Sequence, residues 1–246
     1  MTVQLFEVGG SIRDEILGLE NKDRDFVGVC PEGWDGLLSW ANETLDKVFL
    51  VAPEYFTIRG ILDKEVFDIV LARKDGAYSD GRRPDEVEPG TLEDDLARRD
   101  FTMNAIARSV DTGEVFDPFN GISDVRSGVI RCVGNHENRI EEDSLRILRA
   151  LRFMLTKGLS LDSHLTAMIH QDRLAYDCDG CEDCPRISEL LNNVSRERVR
   201  EEIAKMFKAD SLLSARILFD ERLVHVDLQT AILGDDIWLK PTMERR

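Results

Sequence analysis

The stretch from Gly9 to Phe26, GGSIRDEILGLENKDRDF, constrains the fold more than any other in the chain. The apolar run Leu5–Val8 leads into Gly9-Gly10 and reads as a strand ending in a tight turn. Ser11 can cap a short helix that runs through Leu17 and stops at Gly18. Arg24 to Val29 then reads as a second strand. Two-residue alternation predicts Asp23 and Asp25 on one face of that strand and Arg24 on the other.

This arrangement suits phosphate and metal chemistry. Glycines let the backbone approach an anion closely, so Gly9, Gly10 and Ser11 are candidates to cradle a triphosphate, with Arg13 as a phosphate contact. Two convergent carboxylates suit Mg²⁺, which takes oxygen ligands and keeps substrate phosphates in its shell. Asp68 is the candidate third carboxylate, because it interrupts the apolar run Val66–Leu71, where a charge is costly unless paired or bound to a cation. Asp23, Asp25 and Asp68 are thus the expected catalytic and metal-binding residues for two-metal phosphoryl transfer, which needs no His or Ser nucleophile. Each feature also has an ordinary alternative. Asp-x-Asp is a common surface pair, Gly-Gly a common strand-to-helix turn, and Arg13 can simply pair with Asp14 or Glu15.

Further along, Trp34–Leu45 has helical spacing, and residues 48–52, 55–61 and 65–72 read as closely spaced strands, some of them antiparallel neighbours. Arg73–Gly90 turns polar and reads as a loop; Thr91 caps a helix into Arg98 or Arg99. Residues 102–110 and 114–118 read as a hairpin, and 129–133 as a last strand. Beyond about residue 134 the period becomes helical, at 136–157, 163–175, 187–208 and 211–222. The expected division is 1–134 and 135–246. A net charge of −16 argues against a chain that coats nucleic acid non-specifically, but leaves room for a local basic face at 195–208. That face, with Arg196 and Arg198, is equally a solvated helix surface laced with ion pairs. No apolar run approaches a membrane span, and five cysteines without a leader point to the cytoplasm.

GGSIRDEILG…KDRDFV, DLARRDFTMNAIA and EDSLRILRALRF, in this order, resemble the class II tRNA nucleotidyltransferases, the family of CCA-adding enzymes and bacterial poly(A) polymerases. The resemblance implies an α+β fold. A catalytic nucleotidyltransferase head, a mixed five-stranded sheet with helices, is followed by an all-helical neck and a partial RNA-binding body. It implies template-independent addition of CMP and AMP, from CTP and ATP with two Mg²⁺ ions, to the 3′ end of tRNA or tRNA-like RNA. It assigns Gly9, Gly10 and Arg13 to the triphosphate, Asp23 and Asp25 to the metal pair, and Asp68 to the third acidic position. Arg98, Arg99, Asp100 and Asn104 fall to the ribose and nucleotide, Asp117-Pro118-Phe119 with Gly121 to a structural turn, and Glu142, Asp143, Arg146 and Arg149 to base reading. Ser195, Glu197 and Arg198 match the start of a later helix. Family members usually continue into further tRNA-gripping helical domains, most of which this chain is expected to lack. Thr57 is placed as in CCA-adding members, and Gly81-Arg82-Arg83-Pro84 follows Asp68, which favours CCA addition over poly(A) synthesis. A catalytically silent nucleotide- or RNA-binding protein is the alternative of another class, and a dimer is compatible with the sequence.

The base-reading motif has a physical rationale of its own. If 136–157 is one helix, Asp143 and Arg146 share a face and set acceptors beside a fork of donors, matching the edges of cytosine and adenine but not those of uracil and guanine. A plain helix salt bridge is the alternative. Leu145, Ile147, Leu148, Leu151 and Phe153 are expected to be packing residues. Cys178-x2-Cys181-x2-Cys184, with His170 as a possible fourth ligand, has zinc-like spacing, though the intervening acids equally suit a surface loop with incidental cysteines.

Overall fold

The computed structural model describes residues 3–20, 24–76, 87–174 and 184–234. The chain forms two compact units that change over between Gly134 and Asn135.

The first unit is α+β. Its sheet has seven strands, not the five expected, in the order β3-β4-β5-β2-β1-β8-β9. In chain order these are β1 (Gln4–Val8), β2 (Asp25–Val29), β3 (Lys47–Ala52), β4 (Thr57–Leu62), β5 (Glu65–Leu71), β8 (Ala107–Ser109) and β9 (Val115–Phe116). The sheet is mixed, since β2 and β5 are parallel and the other neighbours antiparallel. The extra strands are the short hairpin β8–β9, which extends the sheet beyond β1.

Alternation along the strands builds two cores, one on each face. Leu5, Phe26, Ile58, Ile69 and Leu71 pack with Leu37, Ala41 and Leu45 of helix α2 (Gly33–Thr44) and the residue after it. Phe6, Val8, Val27 and Ala107 pack on the other face with Leu96 of helix α3 (Leu92–Ala97).

Helix α1 (Gly10–Ile16) is capped by the backbone of Gly9 and not by Ser11, which lies inside the first turn. The N–H of Gly18 reaches Glu15 O and that of Leu19 reaches Asp14 O, a Schellman ending that makes Gly18 the expected stop. Thr91 caps α3, as the sequence predicts, and Asp94 completes a reciprocal capping box with it.

The polar stretch 73–90 is not all loop. Strands β6 (Arg73–Asp75) and β7 (Val87–Pro89) pair as a two-stranded ribbon, and Gly81, Arg82, Arg83 and Pro84 lie outside the described residues. The predicted strand at 102–110 begins as a 3₁₀ turn, Thr102–Asn104. Tertiary contacts override strand propensity there: Thr102 N–H bonds Arg131 O, and Thr102 Oγ1 donates to Asp124. Helix α4 (Gly121–Arg126) starts beside this turn, with the Asp117 carboxylate accepting from the N–H groups of Gly121 and Ile122. Of the last predicted strand, only β10 (Val129–Ile130) forms, while Cys132 bridges Phe101.

The second unit is almost wholly helical. Its helices are α5 (His136–Glu142), α6 (Leu145–Lys157), α7 (Ser163–Gln171), α8 (Ile187–Asn192), α9 (Arg196–Ala209), α10 (Ser211–Phe219) and α11 (Val226–Leu233), with a two-residue strand β11 (Ser160–Leu161). Two predicted helices are broken. The 136–157 run divides at Asp143–Ser144, where Asp143 is extended (φ −153°), and 187–208 divides at 193–195. Helix α11 was not expected. Leu145, Ile147, Leu148, Leu151 and Phe153 are buried, as predicted for α6. No described helix is long and apolar enough to cross a membrane.

Candidate active site

Asp25 opens β2, and its register partner on the parallel strand β5 is Asp68. Register partners on neighbouring strands lie on one face, about 4.8 Å apart along the hydrogen-bonding direction. Both carboxylates therefore lie on the face that carries Val27, opposite α2. Asp23 lies outside the described residues, so its predicted alignment with Asp25 is not described.

Arg59 on β4, the antiparallel partner of Asp68, donates to Asp68 Oδ2 from Nε (2.7 Å) and from a terminal nitrogen (2.5 Å). Sequence reasoning missed it, although a lone Arg in the apolar run Ile58–Leu62 was a signal. A cavity of about 710 Å³ opens on these groups, lined also by Arg24, Phe49, Glu65 and Phe67.

Behind the pair, Glu7 on β1 anchors the start of β2. It is 5% exposed and accepts from Arg24 (3.0 and 3.1 Å) and from Arg108 on β8 (3.0 Å). Burial alone would raise its pKa. The Arg24 and Arg108 hydrogen bonds outweigh that and bring it down to about 2.

The glycine turn meets the Arg98-Arg99-Asp100 segment within the same unit. Gly9 has φ 73°, and a Cβ there would lie 2.8 Å from an Arg99 nitrogen and 3.3 Å from Asn104 O. Arg13, buried, donates to Asn104 Oδ1 at 2.6 Å and also bonds Asp14. Asn104 in turn donates to Asp100 Oδ1 at 2.9 Å. Arg98 and Arg99 both bond Asp95, a fully buried carboxylate that sequence reasoning passed over. Burial would raise its pKa, yet Arg99 and Arg98 hold it below the usual carboxylate range. Its signal was the spacing of three and four residues to the two arginines on one helix. The structure thus brings Gly9, Arg13, Arg98, Arg99, Asp100 and Asn104 into one network.

The base-reading candidates lie in the second unit. Because the helix breaks at Asp143, Asp143 and Arg146 do not share a helical face, contrary to the expectation for an unbroken 136–157 helix. Asp143 caps Leu145 N–H and pairs with Arg198 at 2.6 Å. Arg146 bonds Glu142 (2.8 Å) and Arg139 O (2.6 Å). Arg149 lies 5.7 Å from the Phe153 ring centre. Arg196 donates to Ala231 O at 2.5 Å, within the fold.

Cys178 and Cys181 lie outside the described residues; Cys184 is partly buried and His170 exposed. Among the described residues, metal-ligand atoms converge instead at Asp172, His225 and Asp227. There Arg186 pairs with both carboxylates, so a guanidinium already supplies the positive charge.

Residues 5–131 match the family model of the poly A polymerase head domain. The chain is 35% identical over 205 residues to a CCA-adding enzyme of Ligilactobacillus salivarius, covering 82% of this chain and 45% of that one. It is 39% identical over 162 residues to a CCA-adding enzyme of Leuconostoc mesenteroides, covering 65% and 38%. Among solved structures it is similar to the Bacillus stearothermophilus CCA-adding enzyme in complex with CTP, with TM-score 0.71, 28% identity and coverage of 90% and 49%. It is also similar to the Thermotoga maritima CCA-adding enzyme complexed with tRNA, with TM-score 0.70, 26% identity and coverage of 93% and 48%. The chain spans about half the length of the curated relatives it matches. With the family model matched across the sheet, both glycine and arginine motifs and the carboxylate pair, the chain belongs to the class II tRNA nucleotidyltransferase and poly(A) polymerase family.

Proposed function

We propose that the chain transfers CMP and AMP from CTP and ATP to the 3′ end of tRNA or tRNA-like RNA without a template, releasing pyrophosphate. The observation that carries this reading is the in-register pair Asp25 and Asp68 on one sheet face, beside an open cavity. Residues 1–134 act as the catalytic head and 135–246 as the neck with part of the body, in the cytoplasm.

The carboxylate pair fits Mg²⁺. Its donors are hard oxygens, and both Arg59 bonds end on Asp68 Oδ2, so among the described residues Oδ1 accepts no hydrogen bond. Asp25 and Asp68, together with Asp23, are the residues to hold two ions, which supply activation of the attacking hydroxyl and neutralisation of charge on the leaving pyrophosphate.

The protein's own groups do the positioning. The glycine turn lets backbone approach the triphosphate. Arg98 and Arg99 are held in place by Asp95, and Asp100 with Asn104 faces the ribose. Asp143 offers acceptors, and Arg146 and Arg198 offer donor forks, for the edges of cytosine and adenine. The chemistry accounts for rejection of UTP and GTP, whose carbonyl and N–H positions leave these groups unmatched.

The test uses tRNA transcripts ending before CC, after CC and after CCA, each with one labelled nucleotide at a time. CMP is expected on the first, AMP on the second and nothing on the third. Homopolymeric tails from ATP alone would mark a poly(A) polymerase. Equal use of UTP and GTP, or nucleotide binding without incorporation, would overturn the reading.

A further inference from the structure

Two carboxylates paired across adjacent strands repel each other unless a cation lies between or beside them. In this sheet a cation is built in. Arg59 is the strand partner of Asp68, and both of its hydrogen bonds end on one oxygen of that carboxylate. The attraction is mutual: the Asp68 hydrogen bond and charge, and then the Asp25 charge, raise the Arg59 pKa above its ordinary value.

The other arginine lining the cavity is committed elsewhere. Arg24 bonds Glu7 through two nitrogens and lies 3.8 Å from Glu65. Arg59 is bonded to Asp68 alone among the described residues, and half of its side chain is exposed. Its long stem is therefore able to swing into solvent without breaking a second contact.

We propose that Arg59 is the resident counter-ion of the Asp25/Asp68 pair and competes with a divalent cation for Asp68, so that this one side chain sets the affinity of the site for its metal. The inference rests on the reading of Asp25 and Asp68 as cation ligands. A guanidinium hydrogen-bonded to Asp68 Oδ2 blocks one donor oxygen and places a like charge beside any incoming cation. Loading the cation requires Arg59 to give up Asp68, and that cost subtracts from metal binding. Replacing the guanidinium with a neutral chain of similar length removes the competitor and leaves both carboxylates in place.

The experiment titrates Mn²⁺ alone into the full chain without nucleotide and follows the free-ion electron paramagnetic resonance signal. It compares the wild type with Arg59→Met, Arg59→Lys, Asp68→Asn and the double variant Arg59→Met/Asp68→Asn. Arg59→Met is expected to bind Mn²⁺ more tightly than wild type by about threefold to fivefold, the upper end of the scale of an exposed ion pair. Arg59→Lys, which keeps the charge, is expected to stay within about twofold of wild type. The gain is expected to vanish in the double variant. A melting curve adds a second readout. Arg59→Met should melt below wild type without cation, because Asp68 loses its counter-ion, and should gain more on adding Mn²⁺.

Mn²⁺ binding that is lost in Asp68→Asn but unchanged or weaker in Arg59→Met would overturn the inference while sparing the ligand assignment. Mn²⁺ binding that is undetectable in Arg59→Met, or indifferent to Asp68→Asn in both backgrounds, would overturn both.

Discussion

Glu7 sits in an apolar strand and stays ionised because two arginines from neighbouring segments converge on it. It ties the residue before β2 and the strand β8 to β1, and so fixes where Asp25 starts. With its folded pKa lowered from 4.5 to about 2, its stabilising contribution is fully present above pH 4.5 and is lost as the pH falls toward 2. Glu7→Gln is expected to cost about 1–3 kcal/mol near neutral pH, because two guanidinium groups lose a charged acceptor. Urea unfolding at a series of pH values should show the gap to wild type closing between pH 4.5 and 2; a gap that ignores pH would sink the assignment. Asp95 follows the same logic on helix α3, where a buried carboxylate aligns Arg98 and Arg99. Glu7 was visible in the sequence as a charge in an apolar strand, and Asp95 through its spacing of three and four residues to Arg98 and Arg99. The partners of Glu7 were not visible, because Glu7 and Arg108 are 101 positions apart and only strand pairing brings them together.

At the scale of elements, local rules read well wherever the signal was a capping residue or a period. The Thr91 box, the Gly18 stop, α2 and the three strands β3–β5 all follow from residues within a few positions of each other. Local rules failed where a distant group took over the backbone. The 3₁₀ turn at Thr102–Asn104 is held by Arg131 and Asp124, and the 136–157 helix breaks where Asp143 turns outward to pair with Arg198, 55 positions away. Gly121 marks the tightest such place. A Cβ there would lie 2.1 Å from Thr102 O, a backbone atom unable to move aside without shifting the turn that carries Asn104. Gly121→Ala is expected to destabilise the protein by about 2 kcal/mol or more. Differential scanning calorimetry would show it as a lowered melting temperature, and an unchanged value would refute the close approach.

For the whole molecule, the proposed roles divide between the units: transfer chemistry to the first and nucleotide choice to the second. Asp25→Asn is then expected to abolish incorporation of CMP and AMP alike, by about 10²-fold or more, whereas Asp143→Ala should leave measurable transfer but admit UTP and GTP. Rates with all four labelled nucleotides separate the two outcomes, and an Asp143→Ala protein that kept full selectivity would remove Asp143 from base reading. Residue chemistry and spacings of a few positions are enough to give the family and most of the helix and strand periods, and they single out Asp23, Asp25 and Asp68 as candidates. Only the folded chain makes Asp25 and Asp68 register partners, seats Arg59 on one of them, and brings Arg24 and Arg108 together on Glu7. Pairing of distant strands depends on which apolar faces can be buried together, and no local spacing encodes that choice.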